Sequence, residues 1–409
     1  MVIGLAVMAL SCSPTTVEGS DELASADPAA EASPSPVTTA TTALAIDTAA
    51  TDRAAVERIL QQLTLEEKVG QLLMPVLAGV QATDVGNAEA ALNRQISGMD
   101  QPVDIVDAFN LGGVLYLEAN VESAEQVREF SRDLQTVATD SNGLGLLVAV
   151  DQEGGRVNRI TDQVTVFPAA SDLAGDVDAV TEASYVTGQQ LQRQGINVVL
   201  APVADVVVPG RPGFIGDRSF GADPEIVAEM VSGSVNGLQQ AGVAAAVKHW
   251  PGHGATGTDS HLRLPELDVD RTMWEERERP PFDAAIASDV AIVVVGHLAV
   301  PGLDDTGTPA TLSEVIIDDL LRQEMGFDGV VMTDALNMGA VGQFDEGQIA
   351  VDAILAGADI LLVPPDLAAA YESLIEAAES EVLGPDRLDE SIGRILTLKQ
   401  KLGLLPDLG

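Results

Sequence analysis

The segment Val243-Ala-Ala-Ala-Val-Lys-His-Trp-Pro-Gly-His-Gly-Ala-Thr-Gly-Thr-Asp-Ser-His261 shows the pattern on which the whole chain is built. It begins with a short apolar run, Val243 to Val247, and continues into a polar stretch with Pro251 and three glycines. Because proline and clustered glycines interrupt regular structure, the pattern predicts a buried strand that ends in a loop. Three of the four histidines of the chain lie here. A loop anchored on a rigid strand can move onto a ligand, so this segment is the first candidate for a functional site.

The same alternation of short apolar runs and longer amphipathic segments extends along the chain from Arg53. Runs rich in Val, Ile and Leu without polar alternation are typical of parallel strands covered on both faces. Amphipathic segments such as Ser123 to Val137, Val180 to Gln194 and Pro224 to Ala241 predict connecting helices. The predicted strands are Gln71 to Val76, Gly113 to Leu117, Leu146 to Val150, Val198 to Ala201, Val243 to Val247, Ala291 to Val295, Gly329 to Met332 and Ile360 to Val363.

Eight such units predict an α/β fold, a (β/α)8 TIM-type barrel that forms a single catalytic domain. An open doubly wound sheet is the alternative, because strand periodicity alone does not show closure. The last segment predicts a helix on the outside of the barrel. Leu388, Ile392 and Ile395 recur at helical spacing, Asp386 is the expected N-cap, and Gly403 is the expected stop.

Composition limits the classes of partner. The chain has 409 residues, of which 46% are hydrophobic, so it can bury a large core. Its formal net charge of -42 excludes nucleic acid as a partner, which would require basic patches. Lysine occurs at only four positions, which makes Lys248 in the central segment conspicuous. We predict no cofactor and expect a monomer.

The N-terminal residues resemble a bacterial lipoprotein signal. An apolar run from Val2 to Leu10 precedes Cys12, the single cysteine of the chain. The following residues are rich in Ala, Ser, Thr and Pro and cannot form a core. We therefore expect a signal peptide at residues 1–12, a disordered tether at 13–52 and the barrel at 53–409. The predicted location is the cell envelope, with lipid on Cys12 anchoring the protein to the outer face of the cytoplasmic membrane, or otherwise secretion. No basic residue precedes the apolar run, and Ala9 stands where such a signal usually has Leu, so a disordered terminus or a misplaced start codon is the alternative.

Polar residues follow several of the predicted strands. In a barrel of this type, active-site residues lie at the C-terminal ends of the strands. A single Asp after a strand is more often a helix cap than a catalyst, but several such residues around one face indicate a common site. The residues in these positions are Asp151, Asp205, Lys248, His249, His297 and Asp334.

Five motifs resemble those of the family 3 glycoside hydrolases that remove β-linked N-acetylglucosamine. The first is Lys248 to Gly254 followed by Asp259-Ser260-His261. Four others occur in the family's order, and the resemblance extends from about Arg53 to Gly403. They are Asp151-Gln-Glu-Gly-Gly-Arg-Val-Asn-Arg159, Gly216-Asp-Arg-Ser-Phe220, Gly296-His297 and Thr333-Asp334. The resemblance implies a barrel and a retaining exo-β-N-acetylglucosaminidase that acts on carbohydrate, namely muropeptides or other cell-wall fragments with a terminal GlcNAc.

Glycoside hydrolysis with retention requires a carboxylate at the anomeric carbon and a proton donor for the leaving oxygen. The resemblance implies that Asp334 is the nucleophile and that Asp259 and His261 form the acid/base dyad. The residues themselves fit these roles. No Glu lies in a comparable loop, and residues two apart in an extended segment point the same way, so Asp259 can hold His261 in one tautomer.

By motif position, the resemblance also implies a set of substrate-binding residues: Asp151, Arg159, Arg218, Lys248 and His249. Glu153 and Arg156 are predicted to form a buried ion pair. We expect His253 to shape its loop, and His297 either to line the sugar pocket or to bond a backbone carbonyl.

Four alternatives remain at this point. His249, His253 and His261 with Asp259 include residue types that bind zinc, but the proline and glycines break the helix that such spacing needs, so we predict no metal. The same family includes β-glucosidases and β-xylosidases. A GlcNAc phosphorylase is a further possibility, because a histidine acid/base does not repel phosphate as a carboxylate does. A non-catalytic lipoprotein that binds the cell wall is the remaining alternative.

Overall fold

The computed structural model describes residues 53–210 and 213–406. The segments predicted as signal peptide and tether, including Cys12, lie outside the described residues. Within the described ranges, no helix is both long enough and apolar enough to cross a membrane.

The strands occupy the predicted apolar runs, with shorter bounds in several cases. The predicted end of the fifth strand at Val247 is wrong, because the strand continues to Trp250 and includes Lys248 and His249. Eight of them form the main ring, and β4 and β5 form a small antiparallel hairpin after β3. The strands of the described residues are β1 (Leu73–Met74), β2 (Gly113–Tyr116), β3 (Leu147–Val150), β4 (Gln152–Gly154), β5 (Val157–Asn158), β6 (Val198–Val199), β7 (Ala244–Trp250), β8 (Ile292–Val295), β9 (Val330–Thr333) and β10 (Leu361–Leu362).

The ring of parallel strands is closed. Strands β2, β3, β6, β7, β8 and β9 pair in that order, and β10 pairs with β1. A parallel bridge between Met332 and Ile360 joins β9 to β10. On the other side, the N–H of Leu115 donates to the carbonyl of Pro75 at 2.9 Å and joins β1 to β2. The predicted (β/α)8 barrel is confirmed, and the open doubly wound sheet is wrong because the first and last strands pair.

Helices surround this ring. Several of them begin at a side chain that caps the exposed N–H groups, as Ser123 does for α5 and Asp223 for α8. They are α1 (Arg53–Gln62), α2 (Leu65–Gln71), α3 (Asn87–Ser97), α4 (Pro102–Ala108), α5 (Ala124–Asn142), α6 (Ala170–Leu173), α7 (Val177–Gln192), α8 (Pro224–Gln240), α9 (Arg271–Arg277), α10 (Arg279–Ala287), the π-helix Val315–Glu324, α11 (Gln348–Leu355), α12 (Leu367–Glu379) and α13 (Pro385–Lys401). Short 3-10 turns lie at Glu118–Asn120, Gly216–Arg218 and Ala310–Leu312.

The last helix, α13, is present, but its predicted N-cap is wrong. Gly384 is the N-cap and Pro385 is the first helical residue. Proline suits that position because its fixed backbone angle is helical and its missing N–H would have no helical partner. Asp386 therefore lies inside the first turn. The predicted stop is confirmed, since Gly403 adopts a left-handed φ of 71° after the last turn.

The core beneath the central loop is aromatic. The ring of Trp250, at the end of β7, packs edge-on against Trp274 of α9 and Phe282 of α10, with centroids 5.6 and 5.1 Å apart. The indole of Trp274 also donates to the carbonyl of Pro251 at 2.9 Å. These buried contacts fix the base of the loop that carries the histidines.

Candidate active site

The nucleophile candidate Asp334 directly follows β9 and is partly buried. Its backbone N–H donates to the carbonyl of Val295 on β8 at 2.9 Å, and the N–H of Ala335 donates to its carboxylate at 2.8 Å. Burial alone would raise the pKa of Asp334, but His249, His297, that N–H and Lys248 outweigh it and lower the pKa to about 2. The carboxylate is therefore ionised at neutral pH and held in one place, as a nucleophile requires.

His297 lies beside this carboxylate at the end of β8. Its Nδ1 bonds the hydroxyl of Thr311 at 2.7 Å, and its Nε2 bonds the carbonyl of Ala335 at 3.0 Å. Of the two roles expected for His297, the contacts show the bond to a backbone carbonyl. Burial lowers the pKa of this histidine, and the nearby charges of Asp334, His261 and His249 also affect it. Asp334, His261 and His249 therefore all lie within electrostatic reach of His297.

His249 is fixed by a carboxylate that is completely buried. Asp205, which follows β6, bonds Nδ1 of His249 at 2.6 Å and accepts from the backbone N–H of His253 at 2.6 Å. Because Nδ1 is used in this way, Nε2 of His249 remains for a ligand. Burial would raise the pKa of Asp205, but the two histidines lower it. Asp205 thus orients His249, a candidate sugar-binding side chain, and anchors the start of the loop at His253.

Lys248 forms ion pairs with two carboxylates at the C-terminal end of the barrel, which we call the barrel mouth. Its ammonium lies 2.7 Å from Asp151 Oδ1 and 2.7 Å from Glu153 Oε1. Glu153, in β4, also forms a bidentate salt bridge with Arg218, with N–O distances of 2.7 and 2.9 Å. Arg159 is more loosely placed, with its guanidinium 3.7 Å from Asp151. The structure therefore brings together Asp151, Lys248, Arg159 and Arg218, and adds Glu153 as the link between Lys248 and Arg218.

The predicted ion pair between Glu153 and Arg156 is wrong. Arg156 instead pairs with Asp217 at 2.8 Å and donates to the carbonyls of Phe214 and Ile215. Glu153 instead takes its partners, Arg218 and Lys248, from distant segments of the chain. Burial would raise the pKa of Glu153, but Lys248 and Arg218 lower it to about 2.

The acid/base candidate His261 lies on the exposed part of the loop. Its Nδ1 is 2.8 Å from Asp259 Oδ1, and the same oxygen accepts from the backbone N–H of His261 at 3.0 Å. This contact fixes the tautomer and leaves Nε2 for proton transfer. The imidazole is 55% exposed, so a leaving group and water can both reach it.

His253 holds the interior of the loop together. Its Nδ1 contacts the hydroxyl of Thr256, and its Nε2 bonds that of Ser260 at 3.0 Å. The expected role of shaping the loop agrees with these contacts. Zinc ligation by the loop histidines does not fit them, because both nitrogens of His253 are already used. In the described part of the chain, no cluster of three His, Cys, Asp or Glu side chains is arranged to hold a metal ion.

Two contributors were missed by sequence reasoning, namely the Phe214 ring and Gly339. Phe214 lies against His261 with ring centroids 5.0 Å apart, and the backbone of Gly339 bonds the loop tip. Neither carries a polar side chain, so residue chemistry gave no signal for them.

Comparisons with known proteins agree with this geometry. The model of the "Glycosyl hydrolase family 3 N terminal domain" matches residues 64–398. A protein from Pseudoalteromonas piscicida named beta-hexosaminidase A is 32% identical over 372 residues, which cover 83% of this chain and 62% of that protein. A beta-hexosaminidase from Hydrogenovibrio crunogenus is 33% identical over 276 residues, covering 64% of this chain and 74% of that one.

Solved structures give the same picture. A family 3 β-N-acetylglucosaminidase from Paenibacillus is similar with a TM-score of 0.77 and 40% identity, over 84% of this chain and 63% of the other. A β-N-acetylhexosaminidase from Beutenbergia cavernae is similar with a TM-score of 0.74 and 29% identity, over 83% of this chain and 99% of the other. The present chain thus spans about three fifths of the Pseudoalteromonas and Paenibacillus proteins, but nearly the full length of the Beutenbergia protein.

Proposed function

This chain belongs to glycosyl hydrolase family 3, and we propose that it is a retaining exo-β-N-acetylglucosaminidase. The observation that carries the proposal is the pairing of His261 with Asp259 on the loop after β7, a loop that two backbone hydrogen bonds join to the segment following Asp334. The names of the similar proteins, beta-hexosaminidase and β-N-acetylglucosaminidase, support the same substrate class.

In the first step of the proposed reaction, a carboxylate oxygen of Asp334 attacks the anomeric carbon. The bond from that carbon to the leaving oxygen breaks, and His261 gives the leaving oxygen a proton from Nε2. In the second step, water gives a proton back to His261 and attacks the same carbon, which releases Asp334. Two displacements restore the original configuration.

The binding residues divide into two groups in this mechanism. Asp151 and Lys248, which lie at strand ends, and Nε2 of His249 bind sugar hydroxyls; Arg159 binds a further sugar oxygen. The guanidinium of Arg218 is already occupied by its bidentate salt bridge with Glu153. Arg218 therefore contributes to sugar binding through its charge and by holding the Glu153 carboxylate in place.

The first experiment is a comparison of nitrophenyl β-glycosides of GlcNAc, glucose and xylose. Preferential turnover of the GlcNAc substrate is expected. Preference for glucose or xylose would assign the chain to the glucosidases or xylosidases of the family, and no turnover of any substrate would favour the non-catalytic cell-wall-binding alternative. Product analysis in phosphate buffer separates the last alternative: we expect GlcNAc, whereas GlcNAc-1-phosphate would identify a phosphorylase.

We further propose that the natural substrates are muropeptides or other cell-wall fragments with a terminal GlcNAc, and that the protein acts in peptidoglycan turnover as a monomer. Support for a terminal GlcNAc comes from the names of the similar proteins, beta-hexosaminidase and β-N-acetylglucosaminidase. Release of GlcNAc from purified muropeptides, and a molar mass of one chain by light scattering, are the expected results.

Export to the cell envelope is likewise a proposal, supported by the apolar run before Cys12. Lipid on Cys12 would anchor the protein to the outer face of the cytoplasmic membrane. Full-length protein should incorporate labelled palmitate in a bacterial host, and Cys12→Ala should abolish labelling. A wild-type protein that stays unlabelled and is secreted would rule out the anchor but not export.

A further inference from the structure

The loop that carries His261 is bonded to the segment that follows the nucleophile. The N–H of Gly339 donates to the carbonyl of His261 at 3.0 Å, and the N–H of Ala340 donates to that of Ser260 at 3.1 Å. Gly339 lies only five residues after Asp334. Two backbone bonds therefore connect the candidate acid/base directly to the candidate nucleophile's own segment.

This contact depends on the absence of a side chain at position 339. A Cβ atom there would lie 2.6 Å from the carbonyl oxygen of Leu262 and 2.8 Å from that of His261. Cβ atoms essentially never approach backbone oxygens so closely. The φ of Gly339 is not in the left-handed region, so the requirement for glycine is one of space alone.

An aromatic ring holds the imidazole from a second segment. Phe214 lies at 5.0 Å from the ring of His261 and is itself covered by two guanidinium groups, with Arg218 at 5.3 Å and Arg156 at 5.9 Å from its centroid. Arg218 is fixed by Glu153. Through Phe214 and Arg218, the imidazole of His261 is thus linked to the buried ion pairs of Glu153 with Arg218 and Lys248.

Few other contacts restrain the loop tip. Leu262, next to His261, is 77% exposed, and Arg263 is exposed as well. Each backbone hydrogen bond contributes roughly 1 kcal/mol, so the bonded arrangement can open and close during turnover.

We propose that Gly339 and Phe214 are positioning residues, which together form a docking site that holds the His261 loop over Asp334. The inference rests on the proposed acid/base role of His261. The docking site sets the geometry of proton transfer without touching the substrate, so its loss affects the steps that need His261 and spares the attack by Asp334.

Gly339→Ala tests the proposal, with Gly342→Ala as the matched control. A Cβ at Gly342 would have its nearest neighbours at 3.8 Å, so the control adds the same methyl group three residues away without a clash. We expect Gly339→Ala to lower kcat/KM for methyl β-GlcNAc by about 10- to 100-fold, because an alkoxide leaving group needs the proton. For the 2,4-dinitrophenyl glycoside, whose leaving group needs no proton, kcat/KM should change less than about threefold.

A second readout does not depend on activity. Trypsin cleaves after Arg263, and an undocked loop is a better protease substrate. Gly339→Ala should be cleaved there several-fold faster than the wild type or Gly342→Ala, as followed by mass spectrometry at matched folded fraction. Phe214→Ala should change both readouts in the same direction but by less, and it serves as the second variant if Gly339→Ala does not fold.

Equal cleavage rates and equal leaving-group dependence in Gly339→Ala and Gly342→Ala would overturn the role of Gly339. An unchanged Phe214→Ala would overturn that of Phe214. If the wild type hydrolyses no β-GlcNAc substrate, the proposed function fails, but the cleavage comparison still decides whether the docking site exists.

Discussion

The two candidate catalytic groups are held in opposite ways. Asp334 follows a fully buried strand and receives a backbone N–H, the charge of Lys248 and two histidines around it. His261 lies on a loop, is 55% exposed, and has one carboxylate partner, Asp259. Asp334 is fixed by the barrel, whereas His261 is held by a local contact and by the proposed docking site.

This difference follows from what each group must do. A nucleophile stabilises charge best when its surroundings need not reorganise. A proton donor must let the leaving group depart and water enter, so it benefits from a segment that can move. Variants on the two sides should therefore differ in which step they affect and in how much stability they cost.

The largest effect is expected for Asp334→Asn. The amide cannot form the glycosyl-enzyme, so turnover of nitrophenyl β-GlcNAc should fall by on the order of 10⁴-fold. Asp328→Asn is the control, since Asp328 is exposed at the opposite end of the same strand. Because the pKa of Asp334 is lowered to about 2, its carboxylate stays ionised above about pH 3, and loss of wild-type activity between pH 4 and 6 would have to come from another group. Comparable activity in Asp334→Asn and the control would remove Asp334 from the reaction.

Glu153→Gln should lower the free energy of unfolding, because Glu153 belongs to the buried charge network at the barrel mouth. It leaves Arg218, whose side chain is 9% exposed, without its carboxylate. Removing one partner of a buried pair costs about 3 to 5 kcal/mol of unfolding free energy, measurable by urea titration. The half-exposed pair of Arg156 and Asp217 provides the control, and Asp217→Asn should cost less than about 1 kcal/mol. Equal losses in the two variants would show that burial does not distinguish these pairs.

His261→Ala, on the exposed loop, should lower activity strongly and leave the free energy of unfolding almost unchanged. Loss of the proton donor should lower kcat/KM for methyl β-GlcNAc by about 10²- to 10³-fold, with a much smaller effect on the dinitrophenyl glycoside. The free energy of unfolding should change by less than about 0.5 kcal/mol, because the side chain is exposed. Leu262→Ala, on the neighbouring exposed residue, is expected to retain activity. A uniform loss on both substrates would argue against an acid/base role.

The smallest effect concerns Glu278, which supports the base of the loop. Its buried side chain lies against Gly252, and only one carboxyl oxygen has a partner, Arg277 at 2.6 Å. Burial raises the pKa of Glu278 to about 7 although Arg277 opposes the shift. The folded state therefore binds the proton more tightly than the unfolded state, and this group's contribution to stability is lost as pH rises from about 4.5 to about 7.

Urea titrations of wild type and Glu278→Gln at several pH values measure this contribution. The wild type should lose on the order of 2 kcal/mol relative to the variant between pH 5 and pH 7. His253 and His297, whose pKa values burial lowers, add a slope of opposite sign to both proteins, so the difference isolates Glu278. Parallel curves would show that Glu278 ionises in the folded protein as it does in the unfolded chain.

Sequence reasoning located the strands because each is a short apolar run between polar segments. It was less accurate in the bounds of the first strand, where only Leu73–Met74 is extended and Gln71 is the last residue of the helix Leu65–Gln71. Thr64 and Glu67 form a capping box that starts this helix. The residues at the mouth were found because strand order alone places them at the same end of the barrel.

The sequence by itself therefore determined the family, the barrel pattern and the candidate catalytic residues, since these depend on local periodicity and on motifs. Only the tertiary structure decided the closure of the ring, the pairing of Glu153 with Arg218 and Lys248, and the docking of His261 between Phe214 and Gly339. Each of these joins segments far apart in the chain, through backbone groups, ion pairs, ring contacts or open space. Residue type alone does not decide such contacts, because a charged side chain does not specify its distant partner, any residue has a backbone, and a missing side chain carries no chemical signal.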